Sequence, residues 1–268
     1  MITRAMYIRN QEIIRRKMMK LFIPKVYAAL QHQIKEATAI IRAKGLRAAQ
    51  GNINGPIINE HIGSVVKDLY KTAAHLAIQK YKPNVKAFGA GEEFIRQVLS
   101  YFSKYLLEKV VLPISQTTIA HIESVLQEAL DNGWGVDKAV KELEDSDIIK
   151  NRARTIVRTE TVRATNFTQM AAADNENFEM EKQWIAIEDN RTRSSHSHAG
   201  VDGERIALDD KFTNELLFPG DPEGEAEEVI NCRCTLGYFA KRDLNGNLVP
   251  KSRDDLDIFT KISAGTIK

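Results

Sequence analysis

From Asn10 to Leu21 the apolar residues Ile13, Ile14, Met18 and Leu21 recur every three or four positions, which predicts an amphipathic helix. Pro24 is expected to kink or restart it, because proline lacks the donor that a helix interior needs. The apolar rhythm resumes through Val26, Leu30, Ile34, Ile40 and Ile41 and stops at a turn over Gly51–Pro56. Further helices fit Ile57–Tyr81, with Val65, Leu69, Ala73 and Leu76 on one face, and Glu92–Leu112, ended by Pro113. Ser115 is a candidate cap for a helix whose stripe is Ile119, Ile122, Leu126 and Ala129. Gly133 and Gly135 break that helix; Val136–Leu143 makes a short one and Asp147–Ala173 a longer one.

Beyond about Asn175 the rhythm changes. Glycine, proline and acidic residues multiply, and β-like pieces occur at Lys182–Ile187 and Cys232–Phe239. The expected class is α+β: a mostly α-helical N-terminal region followed by a smaller α+β module with a short β-sheet. The division falls near residues 130–147. It gives a helical region over 1–132, a module over 133–241, and a tail over 242–268 that reads as an irregular tether or contact arm.

The 268 residues suffice for one large or two small domains without covalent staples. The basic N-terminus has no long uncharged apolar run, so neither a secretory signal nor a membrane span is expected there. Only two cysteines occur, two residues apart, which excludes a disulfide framework and fits assembly in a reducing cytoplasm. The net charge of +2 conceals a polarity. Residues 1–60 carry eleven Lys/Arg against three Asp/Glu, and residues 171–231 carry five against sixteen. The basic end, with Arg15, Arg16, Lys17 and Lys20, is a candidate contact for nucleic acid or an acidic protein surface, or a solvated helix face.

The C-terminal half carries an ordered series of short signatures. Arg158-Thr159-Glu160-Thr161 lies on a predicted helix and is followed by Ala164 and Asn166. Trp184-Ile185-Ala186 leads into Asp189-Asn190-Arg191-Thr192-Arg193 and His196. Gly203, the acidic pair Asp209 and Asp210, Pro219-Gly220 and finally Asn231-Cys232-Arg233-Cys234 complete it. In this order, over roughly Gly133 to Tyr238, the series resembles the phage Mu F-like head morphogenesis family of minor head proteins. One departure is that Pro219 and Pro222 lie well upstream of Asn231-Cys232-Arg233-Cys234, where the family often has a proline close by.

The resemblance implies a low-copy virion component inside the capsid near the portal, acting in head morphogenesis and DNA packaging or ejection. Its implied partners are the portal protein, the major capsid or scaffold protein, and double-stranded DNA bound without sequence preference; no membrane is implied. The helical region over 1–132 would then dock on the portal or capsid.

The residues themselves allow several chemistries. On a strand, Cys232 and Cys234 would present both thiols on one side, with Arg233 on the other. Together with His196, and with His198 nearby, they form a candidate zinc set. The alternative is that both cysteines are small buried hydrophobes. His196 could be a metal ligand, a general base, or a ring tying its loop to the cysteine segment. Arg154, Arg158 and Arg163 could contact phosphate, or Arg158 could anchor Glu188 or Asp189. Asp189 with Arg191 and Arg193 is expected to organise a turn, and Trp184 to be core. A cysteine hydrolase would use Cys232 with His196, and a metal-dependent nuclease His196, His198 and Asn231. Neither has a recognisable nucleophile turn or oxyanion hole, and no phosphate-cradling glycine loop occurs, so a non-enzyme is expected.

Overall fold

The computed structural model describes residues 3–53, 60–81, 92–144, 146–187, 198–252, 255 and 257–267. The helices are α1 (Arg4–Lys44), α2 (Leu46–Ala49), α3 (Glu60–Tyr81), α4 (Glu92–Tyr105), α5 (Leu112–Asp131), α6 (Val136–Leu143), α7 (Ser146–Asp174), α8 (Ala226–Val229) and α9 (Ile258–Ser263). Strands β1 (Met180–Ile185), β2 (Arg205–Ala207) and β3 (Thr235–Ala240) form one antiparallel sheet in the order β2-β1-β3. The α+β class expected from the sequence holds: a long helical N-terminal part and a small sheet in the C-terminal part.

Two proline readings are corrected. Pro24 lies inside α1, which runs on as a single helix. Phe22 and Val26 are buried on either side of it, and that packing outweighs the lost backbone donor. Pro113 does not end a helix but stands in the first turn of α5, where its missing N–H costs nothing. A π-helical turn over Leu106–Val111 joins α4 to α5. Ser115 is therefore not a cap; its buried Oγ accepts from Gln33 Nε2 at 3.4 Å. On α3 the buried face is Ile62, Val66, Leu69, Ala73 and Ala77, with Val65 and Leu76 only half-buried.

The chain forms two compact units whose segments interleave: 1–18, 69–102 and 158–268 in one, and 19–68 with 103–157 in the other. The all-helical unit buries a stripe of α1 (Phe22, Val26, Leu30, Ile34, Ala37, Ile41) whose three- and four-residue spacing keeps it on one face. Inside it, Thr118 donates to Gln33 Oε1 at 2.9 Å, while Arg152 donates to Thr118 Oγ1 at 3.1 Å and to the Ile114 carbonyl at 3.0 Å. This polar link joins α1, α5 and the first part of α7.

The other unit holds the sheet. In register, Lys182 pairs with Ile206 on one side and Tyr238 on the other. β3 is an edge strand, whose outward N–H and C=O groups need partners. The first turns of α1 supply them: Tyr7 Oη accepts from Tyr238 N at 3.1 Å and donates to Tyr238 O at 3.2 Å. Arg4 reaches the Ala186 carbonyl and the Asp202 carboxylate, at 2.9 and 2.8 Å. An aromatic cluster fills the interior, with Phe167 stacked on Tyr101 and meeting Phe102, Phe218 and Phe259.

The tail is not a free tether. Asp174, at the end of α7, accepts from Lys251 Nζ at 2.7 Å and from Ile258 N at 2.8 Å. Lys261 pairs with Asp209 at 2.9 Å, and Ile258 is buried.

Candidate functional site

The second half of α7 is buried on nearly every side although it is rich in polar residues: Thr159, Glu160, Thr161, Arg163, Thr165, Asn166, Thr168 and Gln169 are all buried. A buried polar group must find a partner. Here many of the partners are backbone groups of the long irregular segment between β2 and β3, which lacks a ladder of its own. Thr159 Oγ1 accepts from Asn231 N at 3.0 Å. Arg163 Nε donates to Gly220 O at 2.8 Å. Asn166 Nδ2 donates to Pro219 O and to Cys234 O, at 3.1 and 3.2 Å, and its Oδ1 accepts from Thr235. The helix thus pins the chain at 219–220, at 231 and at 234–235.

Glu160 balances this arrangement electrically. Its carboxylate accepts from Arg163 at 2.7 Å and from the Tyr70 hydroxyl at 2.5 Å. Burial works against the Arg163 charge, but the adjoining Glu160 carboxylate outweighs it and raises the guanidinium's pKa. Burial first, and then the Glu160 charge, push the Tyr70 phenol well above its usual range. Arg163 is therefore spent internally and does not face phosphate. Arg158 contacts Asn231 Oδ1 at 3.1 Å, across 73 residues of chain. That partner was not expected; the expected ones, Glu188 and Asp189, lie outside the described residues, as do Arg191, Arg193 and His196.

His198, Cys232 and Cys234 converge in the same unit. All three are buried, and their ligating atoms lie within 4.8 Å of one another. His198 Nδ1 is 3.5 Å from Cys234 Sγ and 3.7 Å from Cys232 Sγ, while Nε2 meets the Glu228 carboxylate at 2.8 Å. The cysteines do not lie on a strand as expected. They sit just before β3, after Asn231 with its φ of 61°, and that left-handed residue turns the chain so that both thiols still share one side. No disulfide joins the two thiols. Hydrogen bonding with Cys232 and burial push the Cys234 thiol well above its ordinary range. Burial opposes charge on His198, but its contacts with Cys234 and Glu228 outweigh that and raise its pKa.

Trp184 is fully buried, as expected, and packs edge-on against His198 with ring centroids 5.4 Å apart. Gly203, with φ of 83°, lets its N–H reach the Trp184 carbonyl at 2.9 Å. Lys182 was not foreseen. Its Nζ, fully buried, donates to Leu208 O at 2.7 Å and Leu217 O at 2.8 Å and lies over the Phe212 ring. Burial lowers its pKa to about 7, against the pull of Asp221, Asp209 and Asp210. The signal was alternation: Lys182 stands two residues before Trp184 and so shares its inward face.

The basic residues of α1 are unequal. Glu12 holds Arg15 with two 2.7 Å contacts and Arg16 with one, whereas Lys17 and Lys20 are exposed. No helix among the described residues is long and apolar enough to cross a membrane.

Residues 120–237 match the family of phage Mu protein F like proteins. The match covers a little under half of the chain and marks a likeness to that family. The matched segment contains α6, α7, β1, β2, α8 and the first half of β3, and therefore Glu160, Arg163, Asn166 and the whole His198–Cys232–Cys234 cluster. Two relatives are similar over part of their length. The uncharacterised protein YqbB of Bacillus subtilis (strain 168) is 26% identical over 141 residues, which cover 50% of this chain and 46% of that protein. Minor head protein GP7 of Bacillus phage SPP1 is 35% identical over 92 residues, which cover 32% of this chain and 29% of that protein. The matches thus span less than half of either relative. No solved structure matches the chain. α1 and the C-terminal tail fall outside the matched segment. Both nevertheless contribute to the compact unit that holds the sheet.

Proposed function

We propose that this protein is a minor head protein of a tailed bacteriophage, held near the portal inside the capsid and acting in head assembly and in the packaging or ejection of DNA. The observation that carries the reading is the Mu F-like match over residues 120–237, together with the likeness to a phage minor head protein. The geometry agrees with a role without turnover. Arg163, a candidate phosphate contact, and Glu160 and Asn166 of the signature series are consumed in holding irregular chain against α7. A packed module whose conspicuous polar side chains are committed to holding its own backbone is suited to recognition and positioning. Exposed Lys17 and Lys20 then serve an acidic protein surface or DNA phosphates.

The test is co-purification of the full chain with the portal protein produced alongside it, compared with Lys17→Glu/Lys20→Glu. The full chain is required because residues 1–18 and 69–102 belong to the same compact unit as 158–268. Retention of the portal protein by the full chain supports the placement. Failure of the full chain to retain it at low salt overturns the portal placement. Salt-sensitive DNA retention that the double variant loses would then favour a DNA-bound internal protein.

A further inference from the structure

We propose that His198, Cys232 and Cys234 bind one zinc ion, which fastens the loop at 198 to the segment that precedes β3. The proposal rests on donor geometry and stands apart from the role in the phage head. A tetrahedral zinc ion with sulfur ligands at about 2.3 Å and nitrogen at about 2.1 Å sets each nitrogen–sulfur edge at about 3.6 Å. The two edges here are 3.5 and 3.7 Å. One imidazole nitrogen has one lone pair, and it cannot accept well from two thiols at nearly equal distance. A single cation placed between the three atoms satisfies all of them.

The surroundings support the same arrangement. Glu228 accepts at His198 Nε2, which fixes the proton there and leaves the Nδ1 lone pair facing the two sulfurs. A carboxylate on the outer nitrogen of a ligating histidine is the usual support of zinc sites. Trp184 packs against the imidazole and fixes the ring plane. Asn166 holds the Cys234 carbonyl and Thr159 holds the Asn231 amide, so the backbone that carries both cysteines is set from two sides. Binding displaces one proton from each thiol. Two thiolates and one neutral imidazole then leave the buried ion with no net charge, and a water molecule takes the fourth position. Two thiolates with an imidazole favour zinc over calcium or magnesium, whose ligands are oxygens.

The test uses the full chain, stripped with a chelator and titrated with cobalt(II) as a spectroscopic stand-in for zinc. One equivalent per chain is expected to bind, with thiolate-to-cobalt charge-transfer absorption and the intense ligand-field bands of a four-coordinate ion; zinc then displaces it. Glu228→Gln leaves all three ligands in place and should weaken zinc affinity by about 10–100-fold, the usual loss for an outer partner. Cys232→Ser/Cys234→Ser should abolish the charge-transfer absorption. A wild-type chain, folded by circular dichroism, that gives no charge-transfer absorption with excess cobalt overturns the proposal whatever the variants do. So does a cysteine double variant that retains wild-type zinc affinity.

Discussion

Gly220 lies directly against the backbone of Arg163, and the Arg163 side chain turns back to hold the Gly220 carbonyl at 2.8 Å. A methyl group on Gly220 would come within 3.0 Å of both the N and Cα of Arg163, and the residue has φ of 88°. Gly220→Ala therefore meets a left-handed-backbone cost of about 1–2 kcal/mol and an overpacking cost of about 1–3 kcal/mol. A combined destabilisation of about 2–5 kcal/mol is expected on those two grounds, read as a lower urea midpoint with an unchanged slope. A midpoint equal to that of the wild type would contradict this close packing.

Glu160 is shared by Arg163 and Tyr70, and the two partners should report differently. Glu160→Gln keeps the shape but leaves the Arg163 charge buried and unbalanced, a loss of about 3–5 kcal/mol. Tyr70→Phe removes one hydrogen bond, a loss of about 1 kcal/mol. Thermal unfolding of both variants checks the order; a larger loss in Tyr70→Phe would show that the charge balance has been misjudged.

Lys182 makes stability depend on pH. Its folded pKa of about 7 lies below the ordinary 10.5, so between those values the unfolded chain holds a proton that the native chain has released. Stability is thus expected to rise with pH across that window and to lose this contribution as pH falls through about 7. Urea midpoints of the wild type and Lys182→Met at several pH values isolate the effect, since every other group is common to both. Parallel profiles would rule out the lysine as their source.

Asp174 ties the tail down through Lys251 and the Ile258 amide. Asp174→Ala should release the segment after Lys241 to limited proteolysis while the sheet stays intact, at a cost of about 1–3 kcal/mol for the buried donors left unpaired. Cleavage no faster than in the wild type would mean that Lys261–Asp209 and Phe259 suffice to hold it.

The helices were legible because long apolar periods survive any local irregularity. Val136–Leu143 emerges with its ends as expected, and Asp147–Ala173 differs by one residue at each end. Pro24 and Pro113 misled because proline's local cost is about 3 kcal/mol in a helix interior and almost nothing in a first turn, and tertiary packing decides which applies. On α3 a stripe through Val65 and Leu76 and one through Val66 and Ala77 fit the helical period equally, and packing buries the second. β2, three residues long with Ile206 half-buried, has too short a pattern to announce itself. At the cluster, the cysteine pair was visible as spacing, whereas the choice of His198 depends on Glu228 and Trp184, which only the fold brings together. The tail's attachment is equally non-local, resting on Asp174 and Asp209 far upstream.

The measurement that bears most directly on the head-protein reading is quantitative mass spectrometry of procapsids and mature virions purified from cells in which this chain is expressed. The account predicts the chain in the particles at a few copies, far below the major shell protein, and lost from particles assembled without a portal. Particles of either kind that lack the chain, while it accumulates free in the lysate, would contradict it.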